Sequence, residues 1–308
     1  MRVLVTGATG MVGVPLVREL QSRGDQVIAL TRDVERARAK LEGVELIAAE
    51  LETAGPWCEA LGRVDAIVHL AGEAVGDKKW DARQKQRIRD SRIESLRVMS
   101  EAIAKLPADQ RPKTLISSSG VDYYPYAIIG LGDDEDVTEK DPPGDTFLAR
   151  VCRDWEAGAR EFEPLGLRVA MMRVGLVVGH GLAMDRLTRP FKWFVGGRIG
   201  SGEQWVSWID LRDVVAAFAN ALHDERYRGP INLVTDSIRN RDFAKLVGKV
   251  LGRPSFLPAP KFGVKLIAGE FAEVILNGRR VVPARLKELG FDWARPDLED
   301  SLRAAVAD

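Results

Sequence analysis

The chain has 308 residues, 45 % of them hydrophobic, which suits one large domain or two intimate ones around a full core. Lys+Arg and Asp+Glu both number 45, so no global basic field is available to hold nucleic acid or an anionic membrane. Two cysteines (Cys58, Cys152) and three histidines (His69, His180, His223) provide neither a disulfide framework nor metal-ligand spacing, and no metal is expected.

The opening MRVLVTGATG has an apolar run too short for a signal segment, and no stretch approaches a membrane span, so a cytoplasmic protein is expected. Arg2–Thr6 reads as a buried strand, and Val14–Ser22 as a helix ended by Gly24. Gln26–Leu30 is a strand, Val34–Leu41 a charged helix, and Val44–Ala48 and Ala66–Leu70 further strands. Trp80–Ala104 reads as one long helix, Thr114–Ile116 as a strand running into serines, Phe147–Phe162 as a helix and Arg168–Arg173 as a strand. This alternation predicts βαβ units on a parallel sheet. The acidic run Asp133–Asp136 reads as a solvated loop.

Beyond Val174 the rhythm loosens. Asp213–Leu222 is a helix, Ile231–Val234 a strand, and Arg241–Leu251 a helix closed by Gly252; a proline-rich turn and an amphipathic stretch to Leu289 follow. The expected fold is α/β: a Rossmann-type doubly wound parallel sheet over residues 1–173, interleaved with a smaller α/β substrate-capping domain over 174–308.

Gly7-Ala8-Thr9-Gly10-Met11-Val12-Gly13 lies between the first strand and helix. Gly7 permits the turn out of the strand, Gly10 lets backbone approach a pyrophosphate, and Gly13 lets the helix press on the sheet. Thr9, Met11 and Val12 complete a loop whose N–H groups and helix dipole face the phosphates. The second strand ends in Thr31 and Arg32, a hydroxyl and a cation that suit a 2′-phosphate, so NADP(H) is expected over NAD(H). Asp33 stands about twenty residues past Gly13, where an NAD site would place its acid, but it lies beyond the strand's end. His69 reads as a packed strand residue, and His69-Leu70-Ala71-Gly72 leaves room for adenosine and ribose across the sheet edge.

TGATGMVG, LAG and SSS occur in the order and spacing of the extended short-chain dehydrogenase/reductase superfamily, which the chain resembles. More narrowly it is similar to the nucleoside-diphosphate-sugar epimerase-like family, through HLAGEAVGDKKW, RIRDSRIES, PPGDTFLARVCRDWE, RVGLVVG, GSGEQWVSWID and GRRVVPARLKELGF. The resemblance implies NADP(H), an oxidoreductase or epimerase acting on a small polar or sugar-nucleotide substrate, and a family-specific C-terminal segment over 254–303. It assigns Thr31 and Arg32 to the 2′-phosphate, and Leu70, Ala71 and Gly72 to the ribose and pyrophosphate path. Glu73, Arg92, Ser117 and Arg173 are placed beside the cofactor.

The superfamily's chemistry uses a Tyr-x-x-x-Lys pair, in which the lysine lowers the phenol pKa. Here Val151 and Trp155 occupy those places. What remains is Ser119, in the place of the superfamily's catalytic hydroxyl, with Tyr123 four residues on. Tyr124, Cys152, Trp155, Gln204, Trp205 and Trp208 are the candidate substrate contacts, indoles being able to stack on a planar group or a sugar face. Family members commonly carry a histidine where this chain has Asp210. The alternative function is a sensor or interaction protein that keeps NADP(H) without chemistry. A homodimer is left open.

Overall fold

Strand β1 (Arg2–Thr6) turns Val3 and Val5 to one face and Leu4 to the other, and all three are sealed from solvent. A strand buried on both faces belongs at the centre of a sheet. The computed structural model describes residues 1–127 and 134–307, leaving aside the side chains of residues 182 and 183. After β1 come α1 (Gly13–Ser22), β2 (Gln26–Thr31), α2 (Val34–Arg38), β3 (Glu45–Ala48), β4 (Ala66–His69) and α3 (Ala82–Ala104). Then follow β5 (Thr114–Gly120), β6 (Asp136–Val137), α4 (Phe147–Arg160), β7 (Arg168–Val174), β8 (Leu176–Val178) and α5 (Leu182–Lys192). The rest is β9 (Trp205–Asp210), α6 (Leu211–His223), β10 (Gly229–Leu233), β11 (Asp236–Arg239), α7 (Asn240–Leu251), α8 (Lys261–Ala268), α9 (Ala272–Leu276), β12 (Arg280–Val281), α10 (Ala284–Leu289) and α11 (Leu298–Val306).

Seven parallel strands form the main sheet in the order β10-β7-β5-β4-β1-β2-β3. The order reverses between β1 and β4, and such a reversal opens a crevice at the strands' C-terminal ends. One face is closed by α1 and α6, through Leu16, Leu20, Phe218 and Leu222. The other is closed by α3 and α4, through Leu96, Met99, Trp155 and Ala159. A second lobe holds the sheet β11-β9-β8 and the pair β12-β6, with α5, α7 and α11 packed around Phe191, Trp208, Phe243 and Leu302.

The two halves interleave: β10 from the second half pairs with β7, and α6 packs on α1. Three other expectations are corrected. The long helix starts at Ala82 and not Trp80: Asp81 caps it by accepting from Gln84 N at 2.7 Å, and Trp80 is buried edge-on to Phe147 and Phe271. Strand β5 continues through its serines to Gly120, because β7 pairs with each of them in turn. The acidic run is not simply a solvated loop. Asp136 lies in β6 and pairs with Arg280 at 3.3 Å, and Asp134 pairs with Arg239 at 2.6 Å, while Asp133 is outside the described residues.

Candidate cofactor and active site

The turn after β1 is shaped by glycine at each close approach. Gly7 has a φ of 68°, and a Cβ there would lie 2.8 Å from the Leu70 carbonyl carbon. A Cβ on Gly13 would lie 2.3 Å from the Gly7 carbonyl oxygen. Val12 begins α1 with no side-chain cap and no acid in the first turn. Among the described residues no acceptor meets the N–H groups of Met11, Val12 and Gly13. An uncapped helix mouth with free donors and its positive dipole end is an anion cradle. Thr9 borders it, with its carbonyl oxygen accepting from Lys40 Nζ at 3.2 Å. Met11 leans out toward the second lobe, where a Cβ on Gly181 would meet its sulfur at 2.9 Å.

At the end of β2, the Thr31 hydroxyl donates to the Asp33 carbonyl at 3.2 Å. The Asp33 carboxylate accepts from Arg36 N at 2.9 Å and caps α2. The acid that follows β2 is thus spent on a helix start. Arg32 is exposed and has no hydrogen bond or ion pair among the described residues, so its fork of donors is available.

His69, which ends β4, is fully buried, and burial together with the charge of Arg92 pushes its pKa down to about 3. Ala71 N–H donates to Thr6 Oγ1 at 3.2 Å, and the same hydroxyl is hydrogen-bonded to His69 Nδ1 at 2.8 Å. Ser95 Oγ donates to the Ser91 carbonyl at 2.9 Å and accepts from His69 Nε2 at 3.1 Å. This neutral relay pins the Leu70-Ala71 backbone across from Gly7.

Arg92 reaches the same edge from α3. Its Nη1 donates to the Glu73 and Ile88 carbonyls at 3.0 and 2.9 Å, and the guanidinium carbon sits 4.9 Å from the Trp155 ring centre. Gly72 makes room for it, since a Cβ there would lie 2.8 Å from Arg92 Cζ. Glu73 N donates to Ser91 Oγ at 2.9 Å; its carboxylate is held below the usual range, against partial burial, by Gln84 and Lys78. The second lobe grips the loop that follows, through an Arg186–Asp77 ion pair of 3.2 Å and the Phe271–Trp80 contact.

The catalytic candidates occupy a different environment from the one expected. Ser119 is 4 % exposed, and its hydroxyl donates to Glu156 Oε1 at 2.9 Å. Arg173 binds the same carboxylate through Nε and Nη2 at 2.7 and 2.8 Å. Although burial opposes the charge, Glu156 holds the Arg173 pKa above its ordinary value. Arg173 also donates to the Tyr124 hydroxyl at 2.7 Å, and that hydroxyl donates on to Asn232 at 2.7 Å. Tyr123 is half-buried, its ring face 3.6 Å from the Arg173 guanidinium carbon. Ser117 is sealed off and donates to the Ser118 carbonyl at 3.1 Å.

Most of the candidate substrate contacts face inward. Trp208 is 2 % exposed in the second lobe's core and has no surface for a ligand. Gln204 spends its amide on the Ile199 and Ile275 carbonyls at 3.1 and 3.4 Å. Trp205 is flanked by Arg239 and Arg280, at 4.0 and 5.5 Å from its ring centre. Tyr124 is wholly buried, and Val151 and Trp155 in the dyad places are core residues. Burial pushes the Cys152 thiol up to about 12, which keeps it protonated and unreactive. Asp210 accepts from Arg212 N at 2.8 Å and caps α6. Sequence reasoning missed Glu156, which organises the inner cluster, because its partners arrive from β5 and β7 with no periodicity to announce them.

A parallel sheet reversing at a glycine turn, with a second lobe over the strands' C-terminal ends, defines an extended short-chain dehydrogenase/reductase. The chain belongs to the NAD dependent epimerase/dehydratase family: residues 3–233 match that family and residues 259–305 match a domain of unknown function, DUF1731. It is 36 % identical over 308 residues to the chloroplastic epimerase family protein SDR39U1 homolog of Arabidopsis thaliana, covering 99 % of this chain and 87 % of that one. The Bos taurus epimerase family protein SDR39U1 is 34 % identical, with 100 % of each chain covered. The crystal structure of the human epimerase family protein SDR39U1 (isoform 2) with NADPH superposes with a TM-score of 0.84 at 30 % identity, over 100 % of both chains.

Proposed function

We propose that this chain binds NADP(H) and acts as an oxidoreductase or epimerase on a small polar or sugar-nucleotide substrate. The observation that carries the cofactor half is the pairing of an uncapped helix mouth with an Arg32 that has no partner among the described residues, while Asp33 is diverted to cap α2. The human relative crystallised with NADPH supports the same choice. Met11, Val12 and Gly13 N–H groups hold the diphosphate, Thr31 and Arg32 the 2′-phosphate, and Leu70, Ala71 and Arg92 the path toward the nicotinamide ribose. When bound, the nicotinamide supplies or accepts a hydride. Tyr123, half-buried against the inner cluster, orients the substrate oxygen, with the Arg173 charge behind its ring. Two free cysteines suit a reducing cytoplasm.

A second reading, a cofactor-binding sensor without chemistry, is favoured by two observations: Ser119 donates its hydroxyl to a buried carboxylate, and the dyad places hold Val151 and Trp155. Calorimetric titration with both nicotinamide coenzymes, followed by turnover assays on carbonyls and nucleotide sugars, separates the readings. Tight NADPH binding with turnover supports the enzyme. Binding without any turnover supports the sensor, and no heat with either coenzyme overturns both.

A further inference from the structure

Apart from Met1, the exposed large hydrophobic residues among those described lie on two short segments of the second lobe. The first is the turn after α5, where Trp193, Phe194 and Val195 are 70, 54 and 56 % exposed. Phe194 takes a φ of 63°, a left-handed conformation that a bulky residue rarely adopts, and one face of its ring lies 4.5 Å from the Arg253 guanidinium carbon. The second segment is the proline-rich turn with α8, where Phe256, Phe262, Leu266 and Ile267 are 75 to 78 % exposed. Bridges from Gly197 to Phe256 and from Ile199 to Ala259 join the segments into one platform.

The charges on this platform have one sign. Residues 189–199 carry Arg189, Lys192 and Arg198, and residues 253–268 carry Arg253, Lys261 and Lys265, with no carboxylate in either stretch. All six are exposed, and none is ion-paired among the described residues. A chain of zero net charge thus gathers six cations around the main cluster of exposed large hydrophobic residues among those described. Such a surface on a water-soluble lobe marks an interaction site. Two copies meeting here would oppose like charges, so the electrostatics select an anionic partner. The exposed aromatic and aliphatic side chains lie among these cations, with Arg189 and Arg253 over the Trp193 and Phe194 rings, a mixture suited to the boundary between headgroups and acyl chains. No helix is long and apolar enough to cross a membrane, and lying in the interface plane requires none.

We propose that the Trp193–Ile199 turn and α8 form a peripheral docking surface for an anionic lipid bilayer. The sequence expectation of no membrane contact came from charge summed over the whole chain, and the fold concentrates that charge locally. The inference is independent of the cofactor reading.

The test is flotation of the full chain with vesicles of equimolar phosphatidylcholine and phosphatidylglycerol, against phosphatidylcholine alone. Binding is expected only to the anionic vesicles, falling on the order of tenfold or more when ~1 M salt shortens the screening length to ~3 Å. Lys261→Glu with Lys265→Glu weakens it by about tenfold or more. Phe262→Ser with Leu266→Ser removes it even at low salt. These side chains are exposed, so an unchanged thermal melt shows that each variant is folded. Trp193 emission shifts to the blue on the anionic vesicles, a change absent in Trp193→Phe. No flotation at low salt, equal flotation with both vesicles, or a stable dimer that Leu266→Ser dissolves would each overturn the proposal.

Discussion

Arg32 and Glu156 show how differently a charged side chain reads in sequence and in space. Arg32 stands at a position that the strand, the turn and the spacing all single out, so its role was open to inference from residues alone. Arg32→Ala should weaken NADP(H) at least about tenfold and leave NAD(H) affinity within a factor of about two, since only the 2′-phosphate contact is lost. Equal losses for both coenzymes in a titration would remove that role. Glu156 is the opposite case. It carries the buried Arg173 charge and takes the Ser119 proton donor, and nothing in a helix reading ARVCRDWE distinguishes it from a solvated acid. Glu156→Gln strands the guanidinium in the core and should cost about 3–5 kcal/mol in denaturant unfolding. Adding Arg173→Met should recover part of that loss; no recovery would mean that the pair is not coupled as drawn.

Among the elements, most of those of the cofactor half were legible because strands such as β1, β2, β4 and β7 are largely apolar runs bounded by glycine, or by capping residues at the next helix. Thr146 is such a cap: its hydroxyl accepts from Ala149 N at 3.1 Å and starts the helix that carries Trp155 and Glu156. Thr146→Ala should lower stability by about 1 kcal/mol, read as a shifted midpoint with an unchanged slope. The second lobe was poorly legible for a physical reason. The buried positions of β9 and β11 include Ser207 and Ser237 beside Trp208, so burial there does not follow apolarity. The same opacity misled the choice of Trp208 as a substrate contact. An indole near glycines looks like a lid, and only the packing of α7 and α11 shows it to be core.

For the molecule as a whole, His69 couples the cofactor edge to acid stability. Its imidazole is driven down to about 3 in the fold, first by burial and then by Arg92. The unfolded chain takes up the proton near its ordinary pKa of about 6.5, whereas the native state refuses it. The stability tied to neutral His69 is therefore complete above about pH 6.5 and drains away as pH falls toward 3, by up to about 1.4 kcal/mol per pH unit. Unfolding curves at pH 7 and pH 5 should show that slope, and His69→Asn should flatten it. An unchanged slope in the variant would place the acid sensitivity elsewhere.

Strand β10 has a consequence for the order of biosynthesis. Its five residues, Gly229–Leu233, complete the sheet against a β7 that left the ribosome more than fifty residues earlier. Until they emerge, the seven residues of β7 offer an unpaired, almost wholly buried-type edge, RVAMMRV, to any neighbouring nascent chain. The dinucleotide half therefore cannot mature on the ribosome by itself, and a stop codon shortly after residue 173 should yield inclusion bodies where the intact gene yields a monodisperse product.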